Sequence, residues 1–179
     1  MSILKRYDVA TSGWIPVAVG APGLTGATGP APSSLAIAIF QDKQSAATAG
    51  QMYTSSTFTT QRLNTDVVNN ISGVSRSADT ITLPSGNYYV DATISVFAAN
   101  NISSHSILKT TGGTVLVAGI PTSFGSTGGG HGINHLKGYF GVTTETSLNL
   151  QIWISIDAST SNPSSGEDKV YASITFIKI

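Results

Sequence analysis

Strict alternation between apolar and polar residues constrains the fold of this chain more than any other feature. In residues 88–96 the in-phase positions are Tyr88, Val90, Ala92, Ile94 and Val96. In residues 148–157 they are Leu148, Leu150, Ile152, Ile154 and Ile156. A period of two is typical of a β-strand that turns one face to a core and the other to solvent. The sequence therefore contains two strands of a half-buried sheet.

Seven further segments have the composition of strands, with turn residues between them. The strand candidates are Leu35–Phe40, Thr57–Leu63, Thr80–Leu83, His105–Thr110, Thr114–Ala118, His135–Val142 and Val170–Ile179. The turn candidates are 84–86, 112–113, 127–130 and 162–166. No segment has a convincing amphipathic helical pattern. About nine or ten strands in about 145 residues predict an all-β, two-sheet sandwich.

Charge excludes several classes of function. Only 10% of the residues are charged, against about 25% in an average soluble domain. Nine basic and nine acidic side chains cancel, so the basic surface that nucleic acid requires is absent.

The chain has no cysteine, which excludes disulfides and thiolate metal sites. We expect no nucleic-acid partner and no cofactor.

Residues 1–19 form a first zone, too small to bury a core of its own. Asp8 and the Ser12–Gly13 pair can make a turn between two short extended pieces. The zone therefore predicts a small hairpin or extended arm that docks on another surface; the alternative is a frayed terminus. The candidate docking residues are Lys5, Arg6, Tyr7, Trp14 and Ile15.

Residues 20–33 form a second zone, in which glycine recurs at every third position. These glycines are Gly20, Gly23, Gly26 and Gly29, with prolines at three of the intervening positions. In a collagen triple helix every third residue faces the crowded axis, where only glycine fits. A stalk of this length would span about 30–40 Å. The alternative is a Gly/Pro linker without order.

The third zone, residues 34–179, resembles the C1q/TNF-like jelly roll, in particular its form in bacteriophage and bacterial proteins. The segments that carry the resemblance are 61–65, 69–71, 81–90, 135–140 and 172–177. Residues 5–17, which lead into the Gly-x-y triplets, are similar to segments of phage fibre proteins. The resemblance implies a homotrimer, and a collagen-like stalk also requires three chains.

The resemblance also implies a function. We expect a non-enzymatic virion structural protein, either a capsid decoration or cement protein or a short head or tail fibre, with residues 1–19 contacting other virion proteins. The alternative is an adhesin head that recognises a host-surface glycan or protein. Because no signal peptide or membrane-spanning stretch is present, we expect synthesis in the host cytoplasm, no membrane insertion, and a final location on the virion surface.

Catalytic and metal-binding arrangements find little support in the residue pattern. Glu167 and Asp168 are adjacent, so on an extended chain their carboxylates point to opposite sides. His131 and His135 have a metal-pair spacing only on a helix, which the glycines before them disfavour. Asp157, Glu167 and Asp168 are the only plausible calcium cluster, and no loop motif supports it. We therefore predict no catalytic residue and no metal ligand.

Four aromatic residues on predicted strands are the remaining candidates for a binding surface. They are Tyr89, Phe97, Tyr139 and Trp153. Aromatic rings of this kind either form a platform for a glycan or fill the core or the seam between subunits. The sequence alone leaves both interpretations open.

Overall fold

The computed structural model describes residues 5–16, 35–45, 48, 50–98, 101–125, 130–159 and 168–179. The chain divides into two compact units, residues 1–34 and 35–179. All regular structure in the described residues is β-strand. Among these residues, none belongs to a helix with the length and hydropathy needed to cross a membrane.

The first unit contains a two-stranded antiparallel hairpin. Its strands are β1 (Lys5–Asp8) and β2 (Gly13–Pro16). The Asp8 carboxylate accepts a hydrogen bond of 2.9 Å from the backbone N–H of Ala10, and Ser12 adopts a positive φ of 46°. The predicted hairpin turn is thus confirmed, and an aspartate that bonds the backbone two residues on is its chemical basis. The four stalk glycines lie outside the described residues.

The second unit holds the other strands. They are β3 (Ile37–Gln44), β4 (Met52–Tyr53), β5 (Phe58–Thr60), β6 (Thr65–Asn69), β7 (Ser75–Ser77), β8 (Thr80–Leu83), β9 (Gly86–Ala98), β10 (Ile102–Thr110), β11 (Val115–Ala118), β12 (Thr122–Phe124), β13 (Gly130–Val142), β14 (Thr146–Ile154), β15 (Ala158–Ser159) and β16 (Lys169–Lys178).

These strands form two antiparallel sheets. The β9 sheet has the order β4-β15-β9-β16-β3-β6, and β13 pairs with β9 along its other edge. The β14 sheet has the order β11-β10-β14-β8-β7, and β12 and β5 pair with β10 and β14. The chain crosses between sheets from β8 to β9, from β9 to β10 and from β13 to β14. This alternation is the connectivity of a jelly roll.

The core lies between the two sheets and consists of the alternating positions that the sequence predicted. Tyr88, Val90, Ile94 and Val96 of β9 are fully buried, as are Leu148, Leu150, Ile152 and Ile154 of β14. Each fully buried aliphatic side chain contributes about 1.5–3 kcal/mol. Both rows belong to one hydrophobic cluster. The two longest predicted strands therefore form the centre of the sandwich.

The structure corrects the number and the limits of the predicted strands. Five of the strands β3–β16 were not predicted: β4, β7, β12 and β15, which have only two or three residues, and β6, which has five. β13 begins at Gly130 rather than His135, because it pairs with β9 along its whole length. β14 ends at Ile154, so the predicted strand through Asp157 is too long, although Ile156 still packs against the core.

Candidate functional site

The hairpin of the first unit presents its aromatic residues to solvent. Tyr7 and Trp14 are directly opposite each other, and their rings meet edge to face with centroids 5.4 Å apart. They are 49% and 65% exposed. Lys5 is exposed and Ile15 is half-buried. Arg6 lies opposite Ile15 in the hairpin register, and the conformation of its side chain is outside the described part of the structure.

Three of the four predicted surface aromatics lie on the outer side of the β9 sheet. We call this surface the β9 face and define it by Tyr89, Asp91, Thr93, Ser95 and Phe97 of β9 with His131, Ile133, His135, Lys137 and Tyr139 of β13. Each β9 residue lies directly opposite a β13 residue in the antiparallel register, and opposite residues share one face.

Aromatic pairs stand at both ends of the β9 face. The rings of Tyr89 and Tyr139 have centroids 5.0 Å apart, and the rings of Phe97 and His131 have centroids 4.9 Å apart. Tyr139 is 73% exposed. Tyr89 and Phe97 are partly buried, so within the described residues the face combines the exposed Tyr139 ring with partly covered aromatic rings.

The centre of the β9 face is electrically neutral and contains a recess. Asp91 and Lys137 form an ion pair of 3.0 Å, and the hydrogen bond from Lys137 to Asp91 raises the pKa of the lysine. A recess of about 220 Å³ adjoins this pair; its lining includes Thr93, Ile133, His135 and Tyr171. Ile133 is more than half exposed. The surface thus combines exposed apolar groups with no net charge.

Trp153 lies on the other sheet and on the opposite side of the sandwich. It is directly opposite His105 on one neighbouring strand and Phe58 on the other. The His105 ring lies 5.5 Å from the Trp153 ring and 5.2 Å from the Phe58 ring, centroid to centroid. We call this outer surface of the β14 sheet the β14 face. The four predicted aromatics therefore belong to two separate surfaces rather than one.

The histidines and acids do not come together in the described residues. His131 and His135 project from one strand four residues apart, a separation of about 13 Å, which is too far to share an ion. Asp157 accepts a hydrogen bond of 2.7 Å from the N–H of Ser55, which lowers its pKa. Asp168 pairs with Lys43 at 3.3 Å. Among the residues that the structure describes, no three potential ligands could hold a metal ion.

One buried polar cluster has no counterpart in the sequence predictions. Asp42 is fully buried and accepts hydrogen bonds from Gln44, from Gln61 and, at 3.1 Å, from Arg62 Nε. The hydroxyl of Tyr53 donates to Gln61 Oε1. Burial raises the pKa of Tyr53 well above its ordinary value, and the charge of Asp42 acts in the same direction. The network connects β3, β4 and the segment after β5, and its role is structural.

Comparison with known proteins identifies the fold of the second unit. The crystal structure of murine APRIL at pH 8.0 has a TM-score of 0.50 and 11% sequence identity, covering 80% of this chain and 98% of that chain. A murine APRIL structure at pH 8.5 has a TM-score of 0.48 and 10% identity, covering 80% and 98%. The second unit, residues 35–179, which we call the head, is thus a TNF-like jelly roll. No protein-family model matches the sequence, and no curated protein matches it.

Proposed function

We propose that this chain is a non-enzymatic, homotrimeric structural protein of a bacteriophage particle, either a capsid decoration protein or a short fibre. In this proposal the head trimerises through the β9 face, the Gly-x-y segment forms a stalk, and the hairpin attaches the trimer to other virion proteins. The observation that carries the proposal is the exposed, aromatic and neutral β9 face.

A second and a third copy of the same chain suit the β9 face better than a charged partner. Its Asp91–Lys137 pair is neutralised within one subunit, so identical faces can approach without repulsion. Tyr139 projects from the face and the recess beside Ile133 offers a place for an apolar group. Aromatic residues that remain exposed in the monomer are typical of the centre of an interface.

The glycine triplets and the TNF-like fold are two independent observations that support a trimer. A triple helix is formed by three chains, and only glycine fits at its axis. In this proposal residues 1–19 supply the attachment. Their Tyr7–Trp14 pair is an exposed aromatic anchor of the kind that dominates binding energy at protein interfaces.

Charge substitution on the β9 face tests the trimer. Ile133→Asp places three carboxylates in the proposed interface, and Val115→Asp makes a similar change at an exposed residue of β11, which belongs to the other sheet. We expect Ile133→Asp to sediment as a folded monomer and Val115→Asp to remain a trimer. Equal oligomeric states for the two variants would refute the role of the β9 face.

Substitution of the aromatic anchor tests the attachment. Trp14→Ala should leave the trimer intact and reduce the amount of protein that co-sediments with purified particles. Val9→Ala is the control, because Val9 is also highly exposed but lies in the hairpin turn. Undiminished retention of the Trp14→Ala protein on particles would exclude the hairpin as the anchor, whatever the oligomeric state.

A specific feature of the β14 face favours host-surface recognition as a second function, compatible with the first. This feature is a neutral pocket lined by hydroxyl groups beside Trp153.

A further inference from the structure

A pocket of about 310 Å³ opens at one end of the β14 face. Its lining consists of Asn101, Ile102, Ser103, Ser123, Phe124, Gly125 and Ser155. This volume is at the lower end of the range of about 300–1,000 Å³ for small-molecule sites. None of these lining residues, all in the described part of the chain, is charged. The pocket therefore suits a small neutral ligand rather than a phosphate, a carboxylate or an amine.

Three serine hydroxyls in the pocket have hydrogen-bonding capacity to spare. The Ser103 and Ser123 hydroxyls are 2.9 Å apart and share one hydrogen bond, so one of their two hydroxyl hydrogens is not used in it. Ser155 Oγ accepts a bond of 2.9 Å from the backbone N–H of Ser103, which leaves its own hydrogen available. A hydroxyl both donates and accepts, so the serines can bind groups that do the same.

Asn101 adds a carboxamide at the rim of the pocket. Its side chain lies against Gly125, where an added Cβ would come within 2.2 Å of Asn101 Oδ1. A larger residue at position 125 would therefore displace the carboxamide. The glycine allows a group with two donors and an acceptor to stand beside the serines.

The aromatic cluster of the β14 face continues directly from the pocket. Ser103 precedes His105 by two residues on β10, and Ser155, the residue after the end of β14, donates its backbone N–H to the carbonyl oxygen of Ser103 at 2.9 Å. Residues two apart on a strand share a face and are separated by about 6–7 Å. Phe58, opposite Trp153, is 42% exposed. The hydroxyl pocket and the aromatic rings thus form one continuous surface.

We infer that this surface, the Ser103–Ser123–Ser155 pocket with the Trp153 cluster beside it, is a binding site for a neutral saccharide. A sugar offers hydroxyls that donate and accept, which match the serines and Asn101. It also has apolar C–H faces, which pack on aromatic rings. All the described lining residues belong to one chain, so the site does not depend on trimer formation.

Intrinsic fluorescence offers a direct assay, because the chain contains two tryptophans, Trp14 and Trp153. In a Trp14→Phe background Trp153 is the sole tryptophan and reports on its own surface. The probes are the methyl glycosides of glucose, galactose, mannose, rhamnose and N-acetylglucosamine. We expect saturable fluorescence changes with at least one of them, with millimolar dissociation constants.

Paired variants distinguish the site from non-specific effects. Ser103→Ala with Ser155→Ala should weaken binding about tenfold or more, because two hydrogen bonds are lost. Gly125→Val should weaken it by displacing Asn101. Ser147→Ala is the control, since Ser147 bonds Thr82 on the same sheet away from the pocket.

Two outcomes would overturn the inference. One is the absence of any saturable change with all five glycosides, checked by saturation-transfer NMR on the same samples. The other is equal affinity of the wild type and the double serine variant. Sedimentation of each variant shows whether the trimer is intact, so a failure of this site is distinguishable from a failure of the proposed assembly.

Discussion

The buried hydroxyl of Tyr53 makes the free energy of unfolding of the head depend on pH in the alkaline range, and the substitution Tyr53→Phe removes this contribution. In Tyr53→Phe the acceptor Gln61 Oε1 loses its buried donor. A buried polar atom left without a partner costs about 1–3 kcal/mol. At neutral pH the variant should therefore unfold at lower urea concentration than the wild type.

At high pH the difference in free energy of unfolding between the wild type and Tyr53→Phe should become smaller. Burial raises the pKa of Tyr53 in the folded state, whereas in the unfolded chain the phenol titrates near pH 10. Above that pH the unfolded state binds fewer protons than the folded state, so the wild type loses stability as the pH rises. The contribution of the raised pKa is complete below about pH 10 and falls by up to about 1.4 kcal/mol for each further pH unit.

Urea unfolding at pH values from about 8 to 11 measures both effects in the two proteins. The free-energy gap should narrow by about 1.4 kcal/mol between these limits, because Tyr53→Phe lacks the titrating group. Tyr88, whose pKa burial also raises, is present in both proteins and cancels in the comparison. A gap that stays constant over the whole range would refute the reasoning about Tyr53.

Three further substitutions test the core and the close contacts of the head by urea unfolding at neutral pH. Asp42→Ala leaves buried donors without their acceptor and should lower the free energy of unfolding by about 3 kcal/mol. This is the low end of the range for a broken buried ion pair, because the arginine partner is partly exposed. A loss below about 1 kcal/mol would argue against the network. Leu150→Ala opens a cavity between the sheets and should cost about 2–5 kcal/mol, and a smaller loss would mean that position 150 is not core. Gly119→Ala should destabilise the head, because its Cβ would lie 2.6 Å from the backbone oxygen of His135. Gly112→Ala is the control and should be better tolerated, since its Cβ would have no contact closer than 3.7 Å. Equal free energies of unfolding for the two variants would contradict the packing at Gly119.

The sequence was sufficient to predict the sandwich because the burial pattern of the central strands is visible as an alternation of apolar and polar residues. In β9 and β14 each inward position is apolar, so a period of two identifies both the strand and the buried face. The hairpin was also predictable, because Asp8 and the Ser12–Gly13 pair are strong turn residues. Short strands such as β4 and β15 were not, since two residues contain no period.

The surfaces were harder to predict, because strand pairing rather than spacing decides them. Tyr89 and Tyr139 are fifty residues apart and become neighbours through the β9–β13 register. Trp153 has the same chemical character, yet its strand belongs to the other sheet. Asp42 follows an apolar run and resembles an ordinary surface acid. Its burial arises from partners on segments whose arrangement only the tertiary structure shows.

The native mass of the full chain in solution is the most direct test of the central claim. Sedimentation equilibrium at micromolar concentration should give three times the chain mass of 18.4 kDa. The Ile133→Asp protein, measured in parallel, should give a single chain mass while retaining the β-sheet circular dichroism of the wild type. A wild-type protein that sediments as a folded monomer at all concentrations would contradict the account.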